Sequence, residues 1–228
     1  MKSKLPRRQP SECPLPDIAT PEHPPQSAPS PRTQSRDARR ARMIEATIDS
    51  LAEKGYSRTT LTDVAARAGT SHGLVLFHFR SKENLLAETL DFLTEEYRVN
   101  WQSAVAAAGK APEEQIRALI KADFEEAICT PSRLSAWCAF WGESQSRPLY
   151  QAQSGANDDL YNANLVQLCG QMNDLYGFTQ DPERSGRLLR FMIEGVWLDL
   201  ITLAKPYSVA EAYETVLHGA RALYPGKF

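Results

Sequence analysis

From about residue 38 to the C-terminus the apolar positions recur at three- and four-residue intervals, so that nearly all of this stretch reads as amphipathic helix. Met43, Ile44, Ile48 and Leu51 mark a first helix over about Ala38 to Lys54, closed by Gly55. In "TTLTDVAARAG", Thr60 and Asp63 form a start of the capping-box kind, Leu61, Val64, Ala65 and Ala68 make a narrow apolar face, and Gly69 ends a helix of about eight residues. Ser71 caps a third helix over about His72 to Phe79, and Ser81, with Glu83 in the first turn, caps a long fourth over about Lys82 to Ala107. Pro112 opens a fifth helix reaching to near Cys129, and Pro131 a sixth to about Ser144. A seventh spans Pro148 to Tyr176 with a break allowed near Gly155. The pairs Leu188/Leu189, Met192/Ile193, Val196/Trp197 and Leu200/Ile201 give an eighth, which Pro206 follows; Val209, Tyr213, Val216, Leu217 and Ala220 mark a ninth. The fold class is therefore all-α.

The second and third of these helices are too short to be stable alone, so they must be held by packing Val64, Ala65, Val75 and Phe79 against the first. Two short helices joined by a tight Gly-containing turn, with a long helix behind them, fit a helix-turn-helix whose second helix enters the DNA major groove. An ordinary helical hairpin fits the same pattern.

Residues 1–36 are of another kind, holding nine of the 15 prolines among Ser, Gln and charged residues, and are expected to be a disordered tail. Residues 37–83 then form a three-helix unit, and residues 84–228 a larger helical one. The net charge of −2 conceals an asymmetry: residues 1–90 carry 14 Lys/Arg against 10 Asp/Glu, and residues 91–228 carry 12 against 18. A basic N-terminal part with Arg36, Arg39, Arg40 and Arg42 suits a polyanion, although such a run also suits a solvated helix start. No apolar stretch approaches the roughly 20 residues that span a membrane, and no signal-peptide segment follows Met1, so a cytoplasmic location without membrane partners is expected. Cys13, Cys129, Cys138 and Cys169 lack metal-binding spacing and read as reduced, mostly buried thiols, with redox sensing left open. His23, His72, His78 and His218 are scattered, and no nucleophile motif or phosphate loop appears, so neither catalysis, nor a metal, nor a cofactor is expected.

The segment "GYSRTTLTDVAARAGTSHGLVLFHFRSKENLL" resembles the DNA-binding region of the TetR family of transcriptional regulators. Further on, "AWCAFWGESQSRPLY" and "EGVWLDLITLAKPYS" resemble the ligand-binding part of the choline-responsive BetI branch of that family. The resemblance implies that residues 37–83 are a DNA-binding domain and residues 84–228 a helical regulatory and dimerisation domain. It also implies a homodimer of nine helices per chain, joined through the last two long helices, that binds a pseudopalindromic double-stranded operator and is released by a small-molecule effector. Two recognition helices about 34–36 Å apart would reach successive major grooves. By the same resemblance Thr60, Lys82 and the N-termini of the second and fourth helices contact phosphates. Thr62, Thr70, Ser71, His72 and Leu74 then lie on the turn and early recognition helix toward the bases, and Gly73 permits close approach. Leu76 stands where the family commonly has a phosphate-binding tyrosine; His78 is the remaining contact there, or else a packed residue.

Trp101, Trp137, Trp141 and Trp197 all lie in the second domain, and Trp137 and Trp141 share a helix face. Together with Phe140, Glu143, Glu194 and Asp199 they suit either an aromatic and acidic cage for a quaternary ammonium such as choline, or an ordinary helical core. An apolar or redox effector in the same class of regulator, and a helical scaffold that binds no DNA, are the alternative readings.

Overall fold

The computed structural model describes residues 31–144 and 148–228, and among these all regular structure is helical. The order is α1 (Pro31–Lys54), α2 (Leu61–Arg67), α3 (His72–Phe79), α4 (Lys82–Ala107), α5 (Pro112–Ala122), α6 (Pro131–Ser144), α7 (Pro148–Gln153), α8 (Gly155–Tyr176), α9 (Pro182–Thr202) and α10 (Val209–Leu223). No helix among the described residues is long and apolar enough to cross a membrane.

Local sequence sets most boundaries. Thr60 and Asp63 make a complete capping box, Ser71, Ser81 and Ser208 accept hydrogen bonds from the third residue of the helix each opens, and Asp181 caps α9 ahead of Pro182. Gly55, Gly69 and Gly177 take positive φ just beyond α1, α2 and α8. Two boundaries differ from the sequence reading, and the break allowed near Gly155 is present. α1 begins at Pro31, seven residues before the expected Ala38, because proline is well suited to a first helical position. The rest of the expected tail, residues 1–30, lies outside the described residues. The long seventh helix is two, broken at Ser154, whose buried hydroxyl meets that of Thr94 at 2.5 Å. α5 stops at Ala122 rather than near Cys129, since Asn100 Nδ2 donates to the Ala122 carbonyl (2.8 Å) and Trp197 Nε1 to the Asp123 carbonyl (3.0 Å), replacing two intrahelical donors.

α1, α2 and α3 close on one another through buried Ile48, Val64, Ala65, Val75 and Phe79. α4 belongs to both parts of the molecule: Leu85 and Leu86 complete this small core, whereas Tyr97 and Trp101 lie in the core of the second part. α6 packs along α1. There Arg133 donates to Glu45 of α1 (3.0 Å) and Glu96 of α4 (2.7 Å), while Phe140 meets Tyr56 edge-on at 5.8 Å and Ser57 donates to Glu143 (2.9 Å). The paired carboxylates hold the guanidinium far above its ordinary pKa, so Arg133 carries charge at every accessible pH. Replacing Arg133 by Ala leaves Glu96 half-buried without its cation and is expected to cost about 1–3 kcal/mol of unfolding free energy in urea titrations, less than a deeply buried pair would.

Candidate DNA interface and effector cavity

The candidate DNA-facing side is built from the capped ends of α2, α3 and α4. Thr60 is exposed, but its hydroxyl donates to Asp63 Oδ2 (2.7 Å), and Lys54 Nζ donates to Asp63 Oδ1 (2.6 Å). Lys54 first, and Thr60 second, lower the Asp63 pKa to about 2, so this cap stays charged. Thr62, Ser71, His72 and Gly73 are exposed, Thr70 is half-buried in the turn, and Leu74 is half-buried against the core. No atom of the chain would meet a side chain added at Gly73, so the gap there serves no internal packing and leaves room for an approaching backbone. Lys82 is half-buried and donates to the Ser57 carbonyl (2.9 Å), bracing the loop ahead of α2. His78 is half-buried too, with Nδ1 unpartnered among protein atoms. Burial, and then the positive charges of Arg36, Arg40 and Arg39, lower its pKa and favour the neutral ring.

Two features of this side were not evident in the sequence. Phe77 is 71% exposed, a large apolar ring presented on α3 beside His78. Arg40 is diverted inward: it pairs with Glu88 and sits over the Phe79 ring at 5.3 Å. Arg36, Arg39 and Arg42 remain exposed on the same helix and continue the basic side past α3.

The second site lies between α4, α6, α7, α8 and α9. Trp137 packs against Trp141 on α6 (centroids 6.3 Å apart), and Trp141 meets Trp197 of α9, nearly parallel (10°) with centroids 6.4 Å apart. Tyr97, Tyr150 and Tyr161, none expected from the sequence, complete the aromatic wall around a cavity that also presents Asp158, Arg190 and Glu194. In this closed form it has room for about one water, some 20 Å³. Of the expected cage, Trp137, Trp141, Trp197 and Glu194 converge, whereas four residues do not join them; Trp101 is buried in the core, edge-on to Tyr161 at 5.5 Å. Phe140 and Glu143 lie on the side of α6 facing the DNA-binding part, and Asp199 accepts from Tyr207 on the outer surface (3.1 Å). A helix turns by about 100° per residue, which places Phe140 and Glu143 well away from the face of Trp141. A continuous polar chain runs along the cavity: Trp141 Nε1 donates to Tyr150 (2.9 Å), Tyr150 to Asp158 (3.1 Å), and Arg190 to Asp158 (3.0 Å) and Glu194 (2.7 Å).

Behind this wall lies Asp123, fully buried, which accepts from Tyr97 (2.7 Å) and Tyr161 (2.6 Å). Burial raises its pKa to about 7 against the lowering effect of the two phenols and Arg190, and both phenols are held well above their usual range.

The architecture is that of a helical, DNA-binding regulator with a separate cavity. Residues 43–89 match the family described as "Bacterial regulatory proteins, tetR family", and residues 112–225 match "BetI-type transcriptional repressor, C-terminal". The chain belongs to the TetR family of transcriptional regulators, with a regulatory part of BetI type. It is 31% identical over 168 residues to the HTH-type transcriptional regulator BetI of Burkholderia lata, covering 74% of this chain and 84% of that one. The BetI regulator of Burkholderia thailandensis is 30% identical over 182 residues, 80% of this chain and 91% of the relative. Among solved structures, a transcriptional regulator from Pseudomonas aeruginosa PAO1 superposes with a TM-score of 0.71 at 25% identity, over 84% of this chain and 92% of that one. A regulator from Saccharomonospora viridis, solved in complex with choline, gives 0.69 at 20% identity over 80% and 95%.

Two predictions follow from these geometries. A raised carboxyl pKa means that Asp123 contributes stability fully below its unfolded value of 3.8, a contribution lost as pH rises through about 7. Asp123→Asn keeps the shape without the charge, so its stability relative to the parent should rise between about pH 5 and about pH 8.5 by on the order of 1–3 kcal/mol, read from urea unfolding at both pH values. On the DNA side, Arg39→Ala should reduce the slope of log affinity against log salt by about 1, whereas Phe77→Ala should weaken binding by about 1 kcal/mol at an unchanged slope. Equal slope changes in both variants would remove Phe77 from the base-facing surface.

Proposed function

We propose that this chain is a cytoplasmic repressor that binds a pseudopalindromic operator as a homodimer and is released by a small quaternary ammonium, choline being the first candidate. The observation that carries the effector assignment is the convergence of three tryptophans and three tyrosines from separate helices on one cavity that also holds Asp158 and Glu194. Aromatic faces and carboxylates together form the environment a cation with no hydrogen-bonding protons requires, since it can be held only by ring quadrupoles and unlike charge. The fold shared with a choline-bound regulator from Saccharomonospora viridis lends support.

Dimer formation is supported by an apolar stripe on α9, where Leu188, Phe191 and Leu198 are exposed at intervals of three and seven. Thr62, His72, Gly73 and Phe77 supply base-facing groups in this reading, and Arg36, Arg39 and Arg42 phosphate contacts; Thr60, Ser71 and Lys82 act by positioning the helix ends. Effector and operator are coupled because α6 carries Trp137 and Trp141 on its cavity side and Arg133, Phe140 and Glu143 on its other side. An effector that binds better when the cavity is open shifts the pair of recognition helices away from operator spacing by its differential affinity.

Choline is expected to change tryptophan fluorescence and loosen operator binding, and its uncharged isostere 3,3-dimethyl-1-butanol to do neither. Trp141→Leu retains apolar bulk without the quadrupole and should lower choline affinity by about 0.5–2 kcal/mol. Equal responses to the cation and its isostere would instead favour an apolar effector, and no response to millimolar choline would remove choline from consideration.

A further inference from the structure

The cavity already contains a cation. Arg190 of α9 places its guanidinium over the Tyr161 ring at 5.3 Å and donates to Asp158 (3.0 Å) and Glu194 (2.7 Å). These are the groups that would recognise an exogenous cation: an aromatic face and both carboxylates of the cavity. With them engaged, the remaining space holds about one water, some 20 Å³, and a trimethylammonium group has nowhere to lodge.

Arg190 also lines a second groove of about 610 Å³ between α8 and α9, together with Asp158, Asn162, Glu183, Arg187 and Phe191, the last on the stripe proposed above for the dimer, and its Nη1 donates to Asn162 there (3.3 Å).

We infer that Arg190 is a tethered occupant of the effector cavity, a built-in competitor that a cationic effector must displace from Asp158, Glu194 and the Tyr161 ring. This rests on the cationic-effector reading above and specifies how the site is regulated. A tethered ion at its own binding site keeps the fraction of open cavity small, so the apparent affinity for a free cation is lowered by that fraction. It also filters ligands, because only a cation recovers the interactions that Asp158, Glu194 and Tyr161 lose when Arg190 leaves; a neutral molecule of equal size would leave two half-buried carboxylates unpaired.

The experiment measures choline and glycine betaine binding to the full-length dimer by calorimetry, for the parent and for Arg190→Met. Met keeps length and apolar bulk and removes the charge, so choline should bind at least about tenfold more tightly to the variant. Because Arg190→Met leaves two carboxylates without their cation, a second arm uses Arg190→Ala and follows thermal unfolding with millimolar methylguanidinium or tetramethylammonium. Either ion should raise the melting temperature of the variant and leave the parent's unchanged. If the parent binds choline and folded Arg190→Met binds it no more tightly, the competitor role is overturned and Arg190 is scaffold. If Arg190→Met loses a betaine affinity that the parent has, the role is likewise overturned, since Arg190 then receives the ligand's carboxylate. Rescue of Arg190→Ala by methylguanidinium with no response of any variant to choline would uphold the tethered cation and sink choline as effector, whereas absence of both would sink the two together.

Discussion

The arrangement of the regulatory part depends on one buried carboxylate. Asp123 sits at the end of α5, and its two oxygens receive the hydroxyls of Tyr97 on α4 and Tyr161 on α8, while its carbonyl receives the indole N–H of Trp197 on α9. Four helices are thereby referenced to a single residue. The hydrogen bonds fix more than position: with their hydroxyls turned back toward Asp123, Tyr97 and Tyr161 stack on each other at 5.6 Å, and Tyr97 meets Trp197 edge-on at 5.9 Å. Removing a carboxyl group from water is costly unless it is neutralised or fully hydrogen-bonded, and here its raised pKa of about 7 and its two phenol donors divide that task. The aromatic wall of the cavity is the visible side of this buried node.

That node also marks the limit of what the sequence discloses. Wherever a boundary is set by neighbours in the chain, as at Thr60 and Asp63, Ser71, Ser81, Gly55 and Gly69, residue types were sufficient, because a cap is a contact across three or four positions. The end of α5 is set by Asn100 and Trp197, distant along the chain, and periodicity carries no trace of either. The same distinction runs through the cavity. Trp137 and Trp141 announce a shared face by their spacing, and Glu194 and Trp197 follow on α9, so the core of the site was legible. Phe140 and Glu143 were drawn in by closeness in sequence, although helical rotation turns them about 100° and about 160° from Trp141, toward the loop that follows α1. Arg190 left a local signal, its spacing of four from Glu194, but an ion pair along a helix gives no hint of the aromatic ring beneath it. Phe77 escaped notice because an aromatic residue in a short apolar helix reads as core, and only the packing of α3 on α1 shows which of Val75, Phe77 and Phe79 is left outside.

Closure of the cavity gives the two parts of the molecule something to exchange. A site with room for one water cannot admit a ligand by small elastic adjustment, since close-packed aromatic walls are displaced as units. Of those walls, α9 is referenced to the Asp123 node through Trp197, whereas Trp137 and Trp141 ride on α6, which is held to α1 and α4 by Arg133, Phe140 and Glu143. The contacts of α6 with the DNA-binding part are charged and aromatic groups gathered along one side, and their geometry is satisfied only in one register. Widening the cavity by moving α6 must therefore either break the Arg133 pairs, leaving Glu96 half-buried without its cation, or carry Glu45, Glu96 and Tyr56 along. The second course preserves every charged contact, and because Tyr56 and Ser57 belong to the loop that Lys82 braces ahead of α2, it would carry the displacement to the start of that helix.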